Sequence, residues 1–598
     1  MRRNKDAGPW RIPRAMLMRT LIPGSVSALA LGLSNIADAL TVGIRIGETA
    51  LAAIGIVTPI YLIFNILALS LGSGGGITHS RLTAEGKNRL ALLHFRRAAL
   101  WALGIGLFFS LLGGLFPGLV LRLLSAGEDY PELWVLCLDY ARPLLIASPV
   151  LILNVFLYYF VKNDDQPRLA ALAFTVGGVL DLSLNLLLVL ILNLGVRGAI
   201  LSTIIAQAAS LILLATHFFS RRGILHLRDI LNAQPEDPRQ VRACLASSLR
   251  SGASSSLSIV FQFGSQLMIN HLLMDAGRQG RIPGDLYVAV FDLVLNIAYV
   301  LQPIYRTVGE SMQPCAATFS VEHDRESLRF IRRLGLRFGL GEGLLLAALI
   351  AAFAGPISRL FGLRLPEQMA VAVPAIRIYL LSTPFAGLLL LLVLYDQAVR
   401  HPWLAIQGTF LRDAVPRIPF ALAAGLLWPE SIWWAFLPAE ALAAGIFLLL
   451  QRRVERQSSL QPLPVFRAAL TNSSHELGDV VNQVAEFCEA QGIPPAKAVQ
   501  LQLGVEELCA VTLQKAFSGQ KDEYIQVTLV VEPGPRYVLH IRDSAPFFNP
   551  LDLKMEKARK DMESSIMDSI GVMMVRRQSR HMEYRNYQGF NTLTVIYE

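Results

Sequence analysis

The chain has 598 residues, of which 53% are hydrophobic and only 17% are charged, and its mean hydropathy is +0.46. A soluble protein of this length would be more polar, so the composition predicts a polytopic membrane protein. The net charge of +9 agrees with basic loops at a membrane surface and does not indicate nucleic-acid binding. The five cysteines form no CxxC motif and no cluster with histidine, which argues against a disulfide framework and a metal site.

The basic N-terminal segment leads into a long apolar run that contains one carboxylate, Asp38. This pattern predicts a cytoplasmic leader followed by a first membrane span, and not a cleaved signal peptide. Apolar runs of spanning length, about 20 residues each, recur up to about residue 451, and we count about twelve of them. They centre near residues 30, 64, 110, 148, 182, 208, 263, 300, 347, 382, 415 and 442.

Basic residues concentrate in every second loop, and the opposite loops contain fewer of them. The positive-inside rule therefore places both termini in the cytoplasm, with the spans in the plasma membrane. The arginine-rich loop at 219–250 divides the spans into two sets of six, a pattern found in secondary transporters built from two repeats. We expect a first half at 1–220 and a second half, with the connecting loop, at 221–456.

The first two spans contain a distinctive series of short motifs. They are Pro23, Asn35-Ile-Ala-Asp38, Val42-Gly43, Ala50–Gly55, Pro59, glycines 72 and 74–76, and Ser80-Arg81. This stretch resembles the multidrug and toxic compound extrusion (MATE) transporters. Later matches are Phe160–Asp164 with Pro167, Leu180-Asp181, Gly195–Ala199, Gly309–Pro314, Arg412 and Pro416. The resemblance covers about the first 455 residues and implies an all-α membrane fold of about twelve helices in two six-helix repeats.

Two carboxylates within the first half are candidates for ion coupling, Asp38 on the first span and Asp181 on the fifth. A charge in mid-membrane costs at least ~2.5 kcal/mol on insertion scales, so we expect a carboxylate there to face a protein cavity. Asn35 lies nearly one turn before Asp38, and Asn185 lies one turn after Asp181 on the same face. Such a set can hold a proton or a sodium ion. The alternative is that these side chains only form hydrogen bonds with one another and have a structural role.

The residues of the first half match the sodium-coordinating pattern of the family only in part, which favours a proton as the coupling ion. Gly177 occupies the position where the family often has an asparagine, four residues before Asp181. Of the other intramembrane carboxylates, Asp396 and Asp413 are predicted to be interfacial, with Asp413 neutralising Arg412. The remaining three, whose positions the sequence leaves open, are Asp292, Glu310 and Glu440.

The composition changes after Arg456, and Pro462 and Pro464 mark a linker. Residues 457–598 are predicted to form a soluble α/β domain from their apolar periodicity. The predicted elements are a strand at Val465–Thr471, helices at Glu476–Gln491 and Ala496–Phe517, strands at Tyr524–Val531 and Tyr537–Ile541, a helix at Asp568–Gln578 and a strand at Asn591–Tyr597.

Four motifs in this domain resemble the serine-kinase-like anti-sigma factors of the Bergerat-fold (GHKL) ATPases. They are Leu503–Cys509, Asp543–Pro550, Gly571–Arg576 and Tyr587–Leu593. The resemblance implies a two-layer α/β fold in which a Glu activates water, an Asn four residues later holds Mg²⁺ and an Asp binds the adenine amino group. Glu507 and Asp543 match the first and third roles.

The other nucleotide-binding features of that family are missing. Val511 occupies the position of the Mg²⁺-binding asparagine, and a valine cannot ligate a metal. Ala545 replaces the glycine that follows the adenine-binding aspartate, and residues 563–568 lack the glycine-rich lid. We therefore predict a degenerate nucleotide site at Glu507 and Asp543, with no catalytic residues and no bound cofactor or metal.

These features favour a secondary efflux transporter in the lipid bilayer, coupled to H⁺ or Na⁺, and not an enzyme. The acidic intramembrane residues predict cationic or amphipathic organic substrates. The C-terminal domain is predicted to regulate transport, with a cytoplasmic protein as a possible partner. Two alternatives remain, a lipid-linked precursor flippase of the same superfamily and a membrane sensor whose C-terminal domain binds an anti-anti-sigma-like protein. The chain has no GxxxxGK[ST] motif, so direct ATP drive through such a loop is not supported.

Overall fold

Two compact units make up the fold of this protein. The membrane unit comprises Arg19–Ala317 and Arg332–Glu455, and the C-terminal unit comprises Met1–Met18, Thr318–Ile331 and Arg456–Glu598. The computed structural model describes residues 10–45, 48–123, 131–220, 223–233, 237–399, 401–458, 463–471, 474–517, 523–534, 536–546, 548–552, 562–587 and 589–598.

The transmembrane part of the chain is built of α-helices. The first half contains α1 (Arg11–Arg45), α2 (Glu48–Ala84), α3 (Asn88–Leu115), α4 (Pro117–Leu123), α5 (Pro131–Ile146), α6 (Ser148–Asn163), α7 (Pro167–Asn185) and α8 (Gly195–Ala215). The second half contains α9 (Leu227–Asn232), α10 (Pro238–Arg278), α11 (Gly284–Val321), α12 (Arg325–Ala352), α13 (Ala354–Leu360), α14 (Pro366–Ala398), α15 (Pro402–Asp413), α16 (Arg417–Leu427) and α17 (Phe436–Ser458).

A helix, or a pair of helices separated by a short break, lies at each of the predicted span positions. Within the described residues, nine helices are long and apolar enough to cross a membrane, and a tenth span is formed if α5 and α6, bent by 52°, count as one. The predicted first span corresponds to α1, although the side chains of 30–45 lie outside the described part of the chain. The predicted eleventh span is split into α15 and α16. The fold class is therefore confirmed as a polytopic helical membrane protein.

Large apolar side chains cover the outer face of α3. Leu100, Trp101, Phe108 and Leu111 are each about 60% exposed, with values of 62%, 58%, 61% and 63%. In water such a stripe would be costly, whereas in a bilayer it contacts lipid tails. The helix thus presents a lipid-facing surface, while its buried face includes His94 and Phe95.

The C-terminal unit contains a five-stranded antiparallel sheet with the order β1-β2-β3-β5-β4. Its strands are β1 (Val465–Thr471), β2 (Tyr524–Glu532), β3 (Arg536–Asp543), β4 (His581–Tyr587) and β5 (Phe590–Tyr597), and its helices are α18 (Ser474–Ala490), α19 (Pro495–Val511) and α20 (Met562–Gln578). The four predicted strands and three predicted helices are confirmed. Strand β4, which is rich in polar residues, was not predicted.

Alternation along the strands gives this sheet one apolar and one polar face. In β2 and β3, Val527, Leu529 and Leu539 belong to the apolar core together with Leu501 and Val505 of α19. The intervening strand residues point to the opposite face because successive side chains alternate across a sheet. They are Gln526, Thr528, His540 and Arg542, and all four are buried. The polar face is therefore covered as well.

Candidate functional sites

A cavity of about 420 Å³ lies between the two halves of the membrane unit. Helix α2 of the first half contributes Thr58, Tyr61, Leu62 and Asn65 to its wall, and α10, α11 and α16 of the second half contribute the remainder. The described lining combines aromatic rings with amide side chains, including Phe263, Tyr299, Gln262, Gln266 and Gln302. Small-molecule sites commonly measure ~300–1,000 Å³, so this cavity can hold an organic compound.

The eleventh span is broken beside this cavity. Helix α15 ends at Asp413 and α16 begins at Arg417, with Pro416 between them. Proline has no N–H to donate, so the regular helical ladder is interrupted here. The hydroxyl of Ser265 donates to the free carbonyl of Asp413 at 3.3 Å. Irregular backbone at membrane depth is tolerated where it lines a cavity, and broken helices form the binding sites of many transporters.

Asp413 and Arg412 form a buried ion pair at the end of α15. The guanidinium Nε and Nη2 of Arg412 lie 2.9 and 2.8 Å from the two carboxylate oxygens of Asp413. Asp413 is only 1% exposed, and it neutralises Arg412 as predicted, while its predicted interfacial position stays a prediction. Asp396, also predicted to be interfacial, is buried and accepts a hydrogen bond from Gln451 at 2.8 Å. Both carboxylates are therefore satisfied within the protein.

A second ion pair joins the two halves. Lys162 Nζ on α6 lies 3.1 Å from Glu310 Oε2 on α11, and the Tyr159 hydroxyl donates to Glu310 Oε1 at 2.8 Å. Lys162 and Glu310 are 4% and 5% exposed. Interactions of opposite charges strengthen when water is excluded, and a buried charge without its partner is costly. This triad therefore holds α6 and α11 together.

Close helix crossings reinforce the contact between the halves. A Cβ added to Gly74 on α2 would lie 1.9 Å from the Ser248 carbonyl on α10, and one on Gly252 would lie 2.2 Å from the Ser70 carbonyl. Only glycine permits this approach, as is common where membrane helices pack tightly. Thr20 on α1 also donates to the Ser311 carbonyl on α11 at 3.2 Å. Thr20 and Ser311 lie near the N-terminal end of α1 and the C-terminal end of α11.

Asp164 anchors the loop that connects the halves. Its carboxylate oxygens lie 2.9 Å from Nε2 of His79 and 2.9 Å from Nε2 of His217. The backbone N–H groups of Ile224 and Leu225 also donate to it, at 3.0 and 2.9 Å. Burial alone would raise the pKa of Asp164, but the two histidines hold the pKa below its usual range. The loop after α8 is thus fixed by a carboxylate that stays ionised.

The predicted coupling residues fall on two helices of the first half. Asp181 on α7 accepts a hydrogen bond from the Thr203 hydroxyl on α8 at 3.3 Å, and Asn185 is buried one turn further along. A π-helical segment, Leu186–Ile191, follows directly, and such segments occur frequently at functional sites. Asp38 and Asn35 belong to α1, but their side chains lie outside the described part of the structure. The proposed four-residue set therefore stays a prediction.

In the C-terminal unit, Asp543 lies at the end of β3 in a hydrogen-bonded network. The Asn591 amide donates to Asp543 Oδ1 at 2.8 Å, and the Ala545 N–H donates to the same oxygen at 3.0 Å. Tyr584 and Asn586 in turn donate to the Asn591 side-chain oxygen at 2.5 and 2.8 Å. Burial raises the pKa of Asp543 to about 7, against the lowering effect of these donors. The carboxylate is thus already engaged within the protein.

Glu507 on α19 lies against α20. A Cβ added to Gly571 would lie 1.8 Å from Glu507 Oε2, so the glycine makes room for the carboxylate. Val511, one turn after Glu507, is 1% exposed and belongs to the apolar core. Residues 553–561, part of the segment between Asp543 and α20, lie outside the described residues. Glu507 and Asp543 therefore lie on different elements of the same unit, and a valine occupies the expected metal-binding position.

The polar face of the sheet is covered by the segment between α11 and α12. Arg542 on β3 forms a buried ion pair with Glu322, and its guanidinium lies 5.0 Å from the ring centre of Phe319. Asp324 caps α12 by accepting from the Ser327 N–H at 2.9 Å. Its other oxygen lies 3.4 Å from Gln526 Nε2 and 3.6 Å from Arg467 Nε. These contacts lie within the C-terminal unit and fix its sheet to the end of α11.

Comparison with known families supports both sequence-based resemblances. Residues 23–187 match the MatE family model, and residues 470–597 match the model of the histidine kinase-like ATPase domain. The chain combines a MatE domain with a histidine kinase-like ATPase domain. It is therefore a multi-pass membrane protein that carries a MatE domain, as the motifs of the first two spans indicated.

Relatives and solved structures agree with this assignment. The chain is 21% identical to a probable multidrug resistance protein, YoeA, of Bacillus subtilis, over 57% of this chain and 72% of the relative. It is 24% identical to an FAD transporter of Shewanella oneidensis, over 33% and 43%. A MOP superfamily transporter from Pyrococcus furiosus, at 22% identity, matches 76% of this chain and 99% of its own with a TM-score of 0.65. This likeness shows that the membrane helices adopt the MATE fold.

Sequence reasoning did not identify two of the sites in this protein. The Lys162–Glu310 pair was missed because only Glu310 was noted, as a carboxylate near the end of a span. The covered polar face of the sheet was missed although its signal was present. Gln526, Thr528, His540 and Arg542 alternate with apolar residues, and a polar stripe that lacks surface lysines and glutamates could have indicated an internal contact.

Proposed function

We propose that the MATE helices form a secondary active transporter that exports small amphipathic organic compounds in exchange for a cation. The cavity between the two halves carries this proposal, because it adjoins a broken helix and because close contacts join the halves at one end. Alternating access requires that such contacts form in one state and separate in another. Lys162 and Glu310 supply a contact of this kind.

The proposed orientation follows from the basic loops. Both termini lie in the cytoplasm of a plasma-membrane protein, so the contacts around Lys162 and Thr20 close the cytoplasmic end. The described conformation would then correspond to a state that is closed toward the cytoplasm. Substrate would leave this state on the opposite side of the membrane.

The proposed coupling ion is the proton, with Na⁺ as the alternative. Asp181 and Asp38 are the carboxylates that would take it, supported by Asn185 and Asn35. Gly177 in place of the family's asparagine weakens a sodium site. Thr203 can donate to Asp181 when the carboxylate is ionised, or accept from it when it is protonated, so both states can be satisfied.

Replacing Asp181 with Asn is expected to abolish proton-driven transport, because the amide keeps the size of the side chain but cannot exchange a proton. Asp38→Asn should have the same effect. The measurement is the export of a dye from proteoliposomes into the surrounding medium under an imposed proton or sodium gradient.

Asp292→Asn is the matched control for these two variants. The Asp292 carboxylate accepts a hydrogen bond from Asn296 at 3.2 Å and lies outside the described lining of the cavity. Wild-type rates in both Asp181→Asn and Asp38→Asn would refute the assignment. Transport that follows only the sodium gradient would refute the choice of ion.

The proposed substrates are amphipathic compounds in general and not cations in particular. The acidic residues of the sequence favoured cations. However, the lining of the cavity, as far as the structure describes it, contains no carboxylate. Its aromatic and amide groups suit a flat, partly polar molecule.

For the C-terminal domain we propose a regulatory role without ATP hydrolysis. Its support is the loss of the Mg²⁺ ligand at Val511, together with the engagement of Asp543 by Asn591. Phosphoryl transfer depends on metal ions to neutralise developing charge, so one lost ligand is severe. The sheet contacts the segment that joins α11 to α12, so a cytoplasmic protein that binds the domain could change the position of those helices.

The purified full-length protein is expected to show no Mg²⁺-dependent ATP hydrolysis, because a valine stands where a ligand is needed. The measurement is phosphate release, with Glu507→Ala as the control for contaminating activity. Equal, background rates in the two proteins would support the proposal. Hydrolysis by the wild-type chain that disappears in Glu507→Ala would show that the domain is an active ATPase.

A further inference from the structure

We propose that the cavity between the halves binds aromatic compounds that carry a negatively charged group, with Arg417 as the residue that pairs with this group. This inference rests on the proposed transport function and adds the class of substrate to it. Arg417 is the first residue of α16, directly after the break at Pro416, and it belongs to the lining of the 420 Å³ cavity.

One nitrogen of the Arg417 guanidinium, the buried Nε, has no hydrogen-bond partner in the described part of the protein. The Arg417 Cζ lies 5.4 Å from the ring centre of Phe436, which holds the guanidinium plane but provides no counter-charge. A buried donor without a partner costs free energy, more so when it is charged. An anionic ligand in the cavity would supply the missing partner.

Asp413 and Asp292 do not compete for this role. Glu440 interacts electrostatically with Arg417 but lies outside the described lining of the large cavity. Asp413 already accepts two hydrogen bonds from Arg412. Asp292 accepts from Asn296 and lies outside the lining. Glu440 lines a second, smaller space of about 40 Å³, whose wall Arg417 shares. Within the described lining of the large cavity, Arg417 is thus the single formal charge.

The rest of the wall favours an aromatic body for the ligand. Tyr61 from the first half and Phe263 and Tyr299 from the second provide ring faces and edges on both sides of the cavity. Aromatic pairs gain free energy beyond simple burial when their rings stack or meet edge to face. Gln262 and Gln302 add amide groups that can orient a polar substituent. Arginine recognises carboxylate and phosphate groups through two parallel N–H donors, so either group fits.

The test uses two dyes that share a xanthene ring and differ in charge, anionic fluorescein and cationic rhodamine 6G. Fluorescence anisotropy measures binding to the purified full-length protein, and proteoliposomes measure transport. The wild type is expected to bind fluorescein in preference to rhodamine 6G. In Arg417→Gln the Kd for fluorescein should rise roughly tenfold or more, because hydrogen bonds to charged groups contribute most, while rhodamine 6G binding should not weaken.

Two further variants separate pairing from a merely structural role of Arg417. Arg417→Lys keeps the charge but lacks the bidentate donor geometry of arginine. Its Kd for fluorescein should therefore be about threefold to tenfold higher than that of the wild type. Glu440→Gln removes a negative charge near Arg417 and should bind fluorescein more tightly. A general loss of folding would weaken binding in all variants and could not produce this opposite change.

Several outcomes would overturn the inference. They are stronger binding of rhodamine 6G than of fluorescein by the wild type, fluorescein binding that Arg417→Gln does not change, and weaker fluorescein binding in Glu440→Gln. Failure of the proposed function gives a different result. In that case fluorescein would still bind in an Arg417-dependent manner, but neither dye would move under a proton or sodium gradient.

Discussion

Replacing Lys162 with methionine is expected to stop transport. The change leaves Glu310, 5% exposed, as a buried charge that has lost its closest cationic partner, since Arg306 is 3.9 Å away. Breaking one partner of a buried pair commonly costs ~3–5 kcal/mol. A shift of this size changes the ratio of two conformations by at least about a hundredfold. The state in which α6 and α11 are joined should therefore become rare, and the transport cycle should stall.

The measurement is the transport rate in proteoliposomes, together with the rate of the double variant Lys162→Met with Glu310→Gln. Removing both charges relieves the unpaired carboxylate, so the double variant should recover part of the activity. Arg197→Ala is the matched control, because the Arg197–Asp139 pair is shorter, at 2.8 Å against 3.1 Å for Lys162–Glu310, but its arginine is 66% exposed. Exposed pairs contribute little, so this control should behave like the wild type. Equal effects in Lys162→Met and Arg197→Ala would contradict the role of the buried pair.

Replacing Arg542 with methionine is expected to release the C-terminal sheet from the segment between α11 and α12. The variant leaves Glu322, 2% exposed, without its ion-pair partner and removes the guanidinium from the Phe319 ring. The expected cost is again ~3–5 kcal/mol, because a buried charge is left uncompensated. Amide hydrogen exchange in residues 318–331 should rise strongly, and transport should become independent of any partner that binds the domain.

The control for this experiment is Arg536→Ala, which breaks a pair with Glu532 on the same sheet. That arginine is 44% exposed, so its loss should leave exchange in residues 318–331 unchanged. Combining Arg542→Met with Glu322→Gln should restore part of the protection. Unaltered exchange in Arg542→Met would show that the ion pair does not hold the segment, and the regulatory proposal would lose its physical basis.

Hydropathy and the alternation of apolar and polar residues predicted most of the helices and strands, because both patterns depend on residues that are close in sequence. The strand at Val465–Thr471 was predicted with its observed limits, and the break of the eleventh span follows from Pro416. The long-range ion pairs do not depend on neighbouring residues. Lys162 and Glu310 are 148 residues apart, and Arg542 and Glu322 are 220 apart. A single sequence shows that a carboxylate is intramembrane but not which cation it meets.

The candidate sites show the same limit. Asp413 was predicted to neutralise its sequence neighbour Arg412, and this local expectation holds. Its burial could not be predicted, because it depends on how α15 packs against α10, which provides Ser265 and Gln262. Asp181 was placed on the correct helix, yet its partner Thr203 lies on another helix. The sequence thus identified candidate groups, whereas the packing of separate helices determines their partners.

The C-terminal unit combines three segments that leave the ribosome at very different times. Met1–Met18 is synthesised before the other two segments, Thr318–Ile331 begins at the end of α11, the eleventh of the seventeen helices α1–α17, and the sheet comes last. Glu322 and Asp324 therefore have no ion-pair partner from the sheet until β3, with Arg542, and β1, with Arg467, have been synthesised. Contacts between such distant segments form late in folding. The unit is consequently completed only after β5 has been synthesised, and a chain terminated before β1 would lack it even if every helix of the membrane unit had been inserted.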